Sequence, residues 1–168
     1  MQKYSLIDNF LESSVADSYF ARLLNLPWKE VKWGPTGHNL PRLVYSYNGE
    51  SSGIVLLELK QIIETNFPVI GKIRGIWCNQ YRNGDDYTPE HQDSYGGYVF
   101  TLSFGAPRRL VFKNINNNEK ITINPKHGSI YYFSSQMNAE NKHSIPKATK
   151  KEKSEGGDGI RLSIVFFT

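Results

Sequence analysis

Ile76-Trp77-Cys78-Asn79-Gln80-Tyr81-Arg82-Asn83-Gly84-Asp85-Asp86-Tyr87-Thr88-Pro89-Glu90-His91-Gln92-Asp93 is the stretch on which the fold turns. Residues 76–81 are apolar and aromatic enough for a strand, and the Asn-Gly-Asp-Asp cluster at 83–86 breaks it with a turn. Side chains alternate along a strand, so Asn79 and Tyr81 share one face while Cys78 and Gln80 take the other. The same alternation, applied to the end of the stretch, turns His91 and Asp93 one way and Gln92 the other.

Strand-and-turn character continues from there to the C-terminus. Residues 98–104, 109–114, 120–123, 129–133 and 161–167 are short alternating or aromatic-rich runs, separated by Gly, Asn and Pro clusters. Upstream the pattern is different. Ser13 or Ser14 can cap a helix that carries Val15, Phe20, Leu23 and Leu24 and ends before Pro27. Val55, Leu56, Leu59, Ile62 and Ile63 fall on one stripe of a second helix over residues 53–66. Residues 4–10 read as a strand or extended lead-in, 28–40 as irregular, and 41–47 as a strand. Two helices followed by evenly spaced strands predict an α+β fold, a jelly-roll sandwich with two N-terminal helices supporting one sheet.

At 168 residues the chain is expected to form a single domain. No run of about 18 apolar residues is present, so no membrane-spanning helix is expected. The first residues mix charge with apolar side chains and lack a signal-peptide run. One cysteine, Cys78, excludes an intrachain disulfide framework. Together these predict an intracellular protein, cytoplasmic or nuclear, with nothing that demands more than a monomer. The formal charge of +4 is concentrated in residues 142–153, where Lys142, Lys147, Lys150, Lys151 and Lys153 face only Glu152. That run is either a solvated loop or a contact for a polyanion such as nucleic acid.

Two imidazoles and one carboxylate are the ligand set that holds a non-haem Fe(II) with coordination positions left open. His91-x-Asp93 alone arises by chance about one time in five in a chain with this many histidines. His143, within Asn-Lys-His-Ser-Ile-Pro, supplies a second imidazole, whereas His38 and His127 lie in turns and have weaker claims. Arg161 opens the last strand, on the face shared by Ser163, Val165 and Phe167. An arginine facing the interior of a small sandwich needs an anion, either a bound carboxylate or Asp158 nearby.

Asn79-x-Tyr81-Arg82-x-Gly84, His91-x-Asp93, Ser103-Phe104-Gly105, His143-Ser-Ile-Pro146 and Arg161-Leu-Ser-Ile-Val-Phe together resemble the AlkB-like Fe(II)/2-oxoglutarate dioxygenases. Pro41-Arg42-Leu43 extends the likeness upstream, so that it spans most of the chain from about Phe10. The resemblance implies a double-stranded β-helix core over residues 71–168, with helices and a substrate-recognition lid over 1–70. It implies Fe(II) on His91, Asp93 and His143, and 2-oxoglutarate and O₂ as co-substrates. Arg161 would hold the distal carboxylate of 2-oxoglutarate as a guanidinium fork, with Asn79 and Tyr81 as hydrogen-bond partners. The implied oxidoreductase activity is demethylation of N-alkylated bases in DNA or RNA, as in DNA repair. Trp33, Arg42, Tyr45 and Tyr47 fall where that family places its lid, although strand packing explains the tyrosines equally well. Arg108, Lys147, Lys150 and Lys151 would contact phosphates.

Two positions depart from the family pattern. Its repair enzymes carry a second arginine six residues after the first, where this chain has Phe167. An acidic residue often follows the ligand aspartate by two, where this chain has Tyr95. These departures keep open an oxygenase acting on a protein side chain or small molecule. A silent nucleic-acid-binding module is the third possibility.

Overall fold

The computed structural model describes every residue except Met1, Gly34, Thr36 and Tyr95, together with the backbone but not the side chain of Trp33. In chain order the elements are β1 (Tyr4–Ile7), α1 (Ser13–Leu24), β2 (Lys32–Trp33), β3 (His38–Asn39), β4 (Leu43–Ser46), α2 (Ile54–Asn66), β5 (Gly75–Tyr81) and β6 (Thr88–His91). Then follow β7 (Val99–Gly105), β8 (Leu110–Asn114), β9 (Lys120–Ile123), β10 (Ser129–Phe133), α3 (Ser135–Glu140), β11 (Asn141–Ile145), the single turn α4 (Lys150–Glu152) and β12 (Arg161–Phe167).

Two antiparallel sheets result. One runs β1-β10-β7-β12-β5-β4 and the other β6-β11-β8-β9, with β2 and β3 forming a separate two-stranded ribbon. The six-stranded sheet is covered on both faces, which explains why its central strands read as near-continuous apolar runs. Phe100, Leu102 and Phe104 of β7 and Leu162, Ile164 and Phe166 of β12 join Leu23, Leu56, Leu59 and Ile63 in a core under α1 and α2. The opposite face carries Val99, Tyr81, Tyr131, Phe133 and Phe167, which pack with Leu110, Phe112 and Ile145 of the second sheet. Each such fully buried side chain contributes about 1.5–3 kcal/mol relative to exposure. The two faces of β5 divide as the alternation predicts: Cys78 lies in the helix-side core, while Asn79 and Tyr81 line the space between the sheets.

His127 fastens α1 to this framework. The Gly105 backbone N–H donates to its Nδ1 at 2.9 Å, so Nε2 carries the ring proton and faces the Asp17 carboxylate at 3.0 Å. Phe20 and Phe104 pack edge-on against the ring. Gly105 itself ends β7 at φ +78°, and a Cβ there would collide with the Ile160 carbonyl, so the Ser-Phe-Gly motif ends in the one residue that fits.

Several expectations need correction. Ser13 is the first helical residue of α1 and not its cap; Glu12 holds the cap position and makes no side-chain capping bond. Residues 4–10, read as a strand or extended lead-in, do hold a strand: β1 is a paired edge strand on β10. β4 and β1, both from the first 70 residues, flank the large sheet, so that segment is not confined to helices and a lid. β6, α3 and β11 did not stand out in the sequence. β6 contains Pro89, which an edge strand tolerates because the N–H that proline lacks is not needed on the unpaired side. No helix among the described residues is long and apolar enough to cross a membrane.

Candidate metal centre

Strand pairing brings the two imidazoles together. His91, last residue of the edge strand β6, is the register partner of His143 on β11. Their rings lie 4.2 Å apart, centroid to centroid. The Asp93 carboxylate bridges them, with Oδ1 3.6 Å from His91 Nε2 and Oδ2 3.5 Å from His143 Nε2. One donor atom from each of the three falls within 4.8 Å of the others, the one such group among the described residues.

The chemistry of the three groups fits an Fe(II) ion. His91 Nδ1 lies 2.9 Å from the Pro89 carbonyl, which fixes the proton on that nitrogen and leaves Nε2 as the donor atom. Burial opposes a charge on His91, yet Asp93 and the Pro89 carbonyl outweigh it and raise its pKa; an arriving cation takes the place of that proton. His143 is buried beside Phe112 and Phe133, and burial together with His91 pushes it down to about 4, against the pull of Asp93. It therefore presents a neutral imidazole with a free lone pair at neutral pH. With the lone pair on Nε2, facing Asp93, the ring proton lies on Nδ1, which is buried and has no hydrogen-bond partner among the described residues. Donor atoms on one ion lie about 3 Å apart, close to the separations seen.

Asp93 reaches this position for a reason the sequence did not disclose. β6 stops at His91, so strand alternation does not orient the carboxylate. Asn138 of α3 does: its Oδ1 accepts the Asp93 N–H at 2.9 Å and its Nδ2 donates to the Asp93 carbonyl at 2.7 Å. Gln92 adds a bond from its Nε2 to the Asn138 carbonyl at 2.8 Å. Asn138→Ala is expected to weaken Mn(II) or Fe(II) binding about 10–100-fold, the usual cost of losing an outer-shell partner. Titration calorimetry with Mn(II) checks this, and unchanged affinity would show that Asp93 holds itself in place.

A cavity of about 260 Å³ opens beside the triad between the sheets, walled by Arg42, Trp77, Asn79, Tyr81, Tyr131 and Ser163 among others. That volume is at the small end for ligand sites, enough for a small dianion beside the reacting part of a substrate. Tyr81 is buried, its hydroxyl 2.7 Å from Thr88 Oγ1. Tyr131, which the sequence did not single out, has its hydroxyl pushed up to about 12 by burial, against the opposing charge of Arg161 and a bond with Thr101.

Beneath this wall lies Arg161, wholly buried. Its Nη2 donates to Ser103 Oγ at 3.0 Å, Nη1 to the Pro125 carbonyl at 3.3 Å and Nε to Ser163 Oγ at 3.3 Å. Burial lowers its pKa, and only the Tyr131 and Tyr81 hydroxyls offset the loss. Asp158, the alternative partner, instead accepts the Gly84 N–H at 2.9 Å and lies 3.6 Å from Lys153 Nζ. Among the described residues no carboxylate pairs with Arg161. A buried, uncompensated guanidinium of this kind calls for an anionic ligand.

The expected substrate residues scatter. Arg42 lines the cavity, donating from Nε to Asn79 Oδ1 at 2.8 Å, and its charge is felt at His91. Trp77, missed in the sequence, donates to the same Asn79 oxygen at 3.0 Å. Tyr45 is buried in the helix-side core, and Tyr47 packs against it, so neither faces the triad. Arg108 is buried and donates to the carbonyls of Asn83, Asp86 and Pro146 at 3.0, 2.7 and 2.7 Å. It is a staple between two loops and offers no free fork to a phosphate. Lys151 lies 3.9 Å from Glu155, Lys153 2.8 Å from Asp85, and Lys147 sits 5.5 Å over the Tyr87 ring; Lys150 is exposed. The Trp33 side chain and Tyr95 lie outside the described residues.

No protein-family model matches the chain, and no curated protein matches its sequence. Solved structures do match. A 2OG-Fe(II) oxygenase family oxidoreductase from Burkholderia pseudomallei superposes at a TM-score of 0.69 and 15% identity, covering 98% of this chain and 84% of that one. A prolyl hydroxylase from Trichoplax adhaerens, in complex with a hypoxia inducible factor oxygen degradation domain peptide fragment, gives 0.70 and 16%, covering 98% and 83%. The chain has the fold of the 2OG-Fe(II) oxygenases. At this identity the likeness is one of fold.

Proposed function

We propose that the chain is an Fe(II)/2-oxoglutarate-dependent dioxygenase, of the AlkB-like kind, that removes alkyl groups from N-alkylated bases in DNA or RNA. The observation that carries the oxygenase reading is a His-Asp-His donor set lining one cavity, together with a buried arginine that bonds Ser163 of the same cavity wall and pairs with no carboxylate among the described residues. Strand order supports it. Counted one to eight from β5 to β12, the sheets run 6-3-8-1 and 2-7-4-5, the winding of a jelly roll. A module that only bound nucleic acid would need neither feature.

His91, Asp93 and His143 would hold Fe(II), which when bound supplies O₂ activation and a seat for the 2-oxo acid group. Arg161 fixes the far carboxylate of 2-oxoglutarate, with Tyr81 and Tyr131 shielding the pair from water. Asn79, on the cavity wall, has its oxygen taken by Arg42 and Trp77, which leaves its amide NH₂ as the group available to donate to the co-substrate. Overall, one oxygen atom enters succinate and the other the substrate carbon, with CO₂ released. On an N-methyl group the product is a hydroxymethylamine, which breaks its C–N bond to give formaldehyde and the bare base.

The AlkB-like motifs favour a nucleic-acid base. The pairing of Lys151 and Lys153 and the burial of Arg108 favour the second reading, hydroxylation of a peptide or small molecule. A panel of N-methylated oligonucleotides and of peptides, assayed for formaldehyde and for a gain of one oxygen, decides between them. Formaldehyde release from an oligonucleotide is the expected result. If no oligonucleotide raises succinate formation above the uncoupled rate, the nucleic-acid reading falls.

A further inference from the structure

The outer face of the four-stranded sheet carries a row of lysines that the cavity does not use. His143 of β11, Leu110 and Phe112 of β8, and Ile121 and Ile123 of β9 turn inward. Alternation therefore turns Lys142, Lys113 and Lys120 outward. Strand register sets the three side by side, with Lys142 opposite Lys113 and Lys113 opposite Lys120. Lys142 and Lys120 are exposed and pair with no carboxylate among the described residues, and Lys113 meets only Glu90, at 3.7 Å. The other acids around this sheet are placed elsewhere. Glu140 is held by Lys3, Glu152 faces Arg109 and closes its own helical turn, and Glu119, in the turn before β9, pairs with none of the three. Residues directly opposite on neighbouring strands have Cβ atoms about 4.5–5.5 Å apart, and like charges so placed repel. A wet sheet face asks only for polar residues, so folding gives no reason for the row.

We propose that Lys142, Lys113 and Lys120 form a seat for the phosphate backbone of a nucleic-acid strand. Phosphates relieve the repulsion among the three ammonium groups, and the counterions they release favour binding. Contacts of this kind position a strand and read no bases. The row lies on the back of the sheet whose inner face holds the triad: Lys142 precedes His143, and β6, which ends at His91, is the next strand. A strand seated there is one strand spacing, about 4.8 Å, from the sheet edge at which the His91 side chain is 39% exposed. The proposal deepens the nucleic-acid reading and rests on it for the choice of polyanion. It moves the phosphate contact away from the loop lysines, of which Lys151 has Glu155 at 3.9 Å and Lys147 lies over the Tyr87 ring.

The test titrates a fluorescent, unmethylated single-stranded oligonucleotide with the Mn(II)-loaded chain at several salt concentrations. Two triple variants carry the same change of charge: Lys113→Gln with Lys120→Gln and Lys142→Gln, and Lys147→Gln with Lys150→Gln and Lys151→Gln. The first should weaken binding about tenfold or more at low salt. It should also flatten the slope of log affinity against log salt by about 2, which is three contacts at about 0.7 each. The second should stay within threefold of wild type. A thermal melt shows that both are folded, and the first should melt no lower than wild type because a repulsion has been removed. Equal losses in the two variants would reduce the row to bulk charge, and no loss in the first would return it to a solvated face; either result overturns the proposal. Equally tight binding of polyglutamate of the same length overturns nucleic acid as the occupant. Binding that depends on the row supports the proposal whether or not any methylated oligonucleotide releases formaldehyde, so the seat and the demethylase reading fail separately.

Discussion

Asp93→Ala is expected to cost more than about 100-fold in Mn(II) or Fe(II) affinity and to abolish succinate formation. The bound on the magnitude comes from comparison: outer-shell partners cost about 10–100-fold, and Asp93 is itself a donor and the sole carboxylate of the set. Two imidazoles alone supply no charge to offset a dication, and His143 is buried where an uncompensated cation is costly. The fold should survive, because the Asp93 backbone, and not its carboxylate, carries the two bonds to Asn138. The variant should therefore keep a cooperative melt while losing the rise in Tm that Mn(II) gives the wild type. Retention of metal affinity within threefold would remove Asp93 from the ligand set and the oxygenase reading with it.

Much of the large sheet was legible because burial writes itself into composition. β5, β7 and β12 are buried on both faces, and their runs are apolar almost throughout. The i, i+2 rule then sorted Asn79 and Tyr81 from Cys78 without further information. β11 and α3 were opaque for the opposite reason. Residues 135–143 are mostly polar, and what orders them is tertiary: Asn138 meets Asp93 across 45 positions of sequence. His143 and His91 could be suspected as ligands, but their pairing across two strands could not be derived from spacing.

Charge was the feature most easily misread. Arg108-Arg109 looks like a phosphate clamp, yet Arg108 spends its donors on three carbonyls. The lysine run counts as +4 in sequence, but Lys153 meets Asp85 from 68 residues away, and Glu155 lies on the next turn from Lys151. A net charge summed along the chain does not see partners supplied by folding. Arg42 shows the same effect: its position in a Pro-Arg-Leu stretch said nothing of its bond to Asn79 on the neighbouring strand β5.

Arg161→Met separates function from stability more sharply than any other substitution in this chain. A structural arginine that is removed from a buried position normally costs stability. Among the described residues Arg161 has no acid partner, and its three acceptors there are two serine hydroxyls and one carbonyl. Replacing a buried charge that has no counter-ion by an apolar side chain of similar length removes the cost of burying that charge, which offsets the three hydrogen bonds lost. The ligand-free variant should therefore melt no more than about 4 °C below wild type, the shift that about 1 kcal/mol gives a domain of this size. Its 2-oxoglutarate affinity should fall about 100-fold or more, the range seen when one partner of a buried charge pair is truncated. The stabilisation that 2-oxoglutarate gives the Mn(II)-loaded wild type should vanish with it. A large drop in Tm with affinity preserved would make Arg161 a staple for Ser103 and Pro125. A stable variant that cannot hold the co-substrate would mean that this chain keeps a costly buried charge because a carboxylate arrives to meet it.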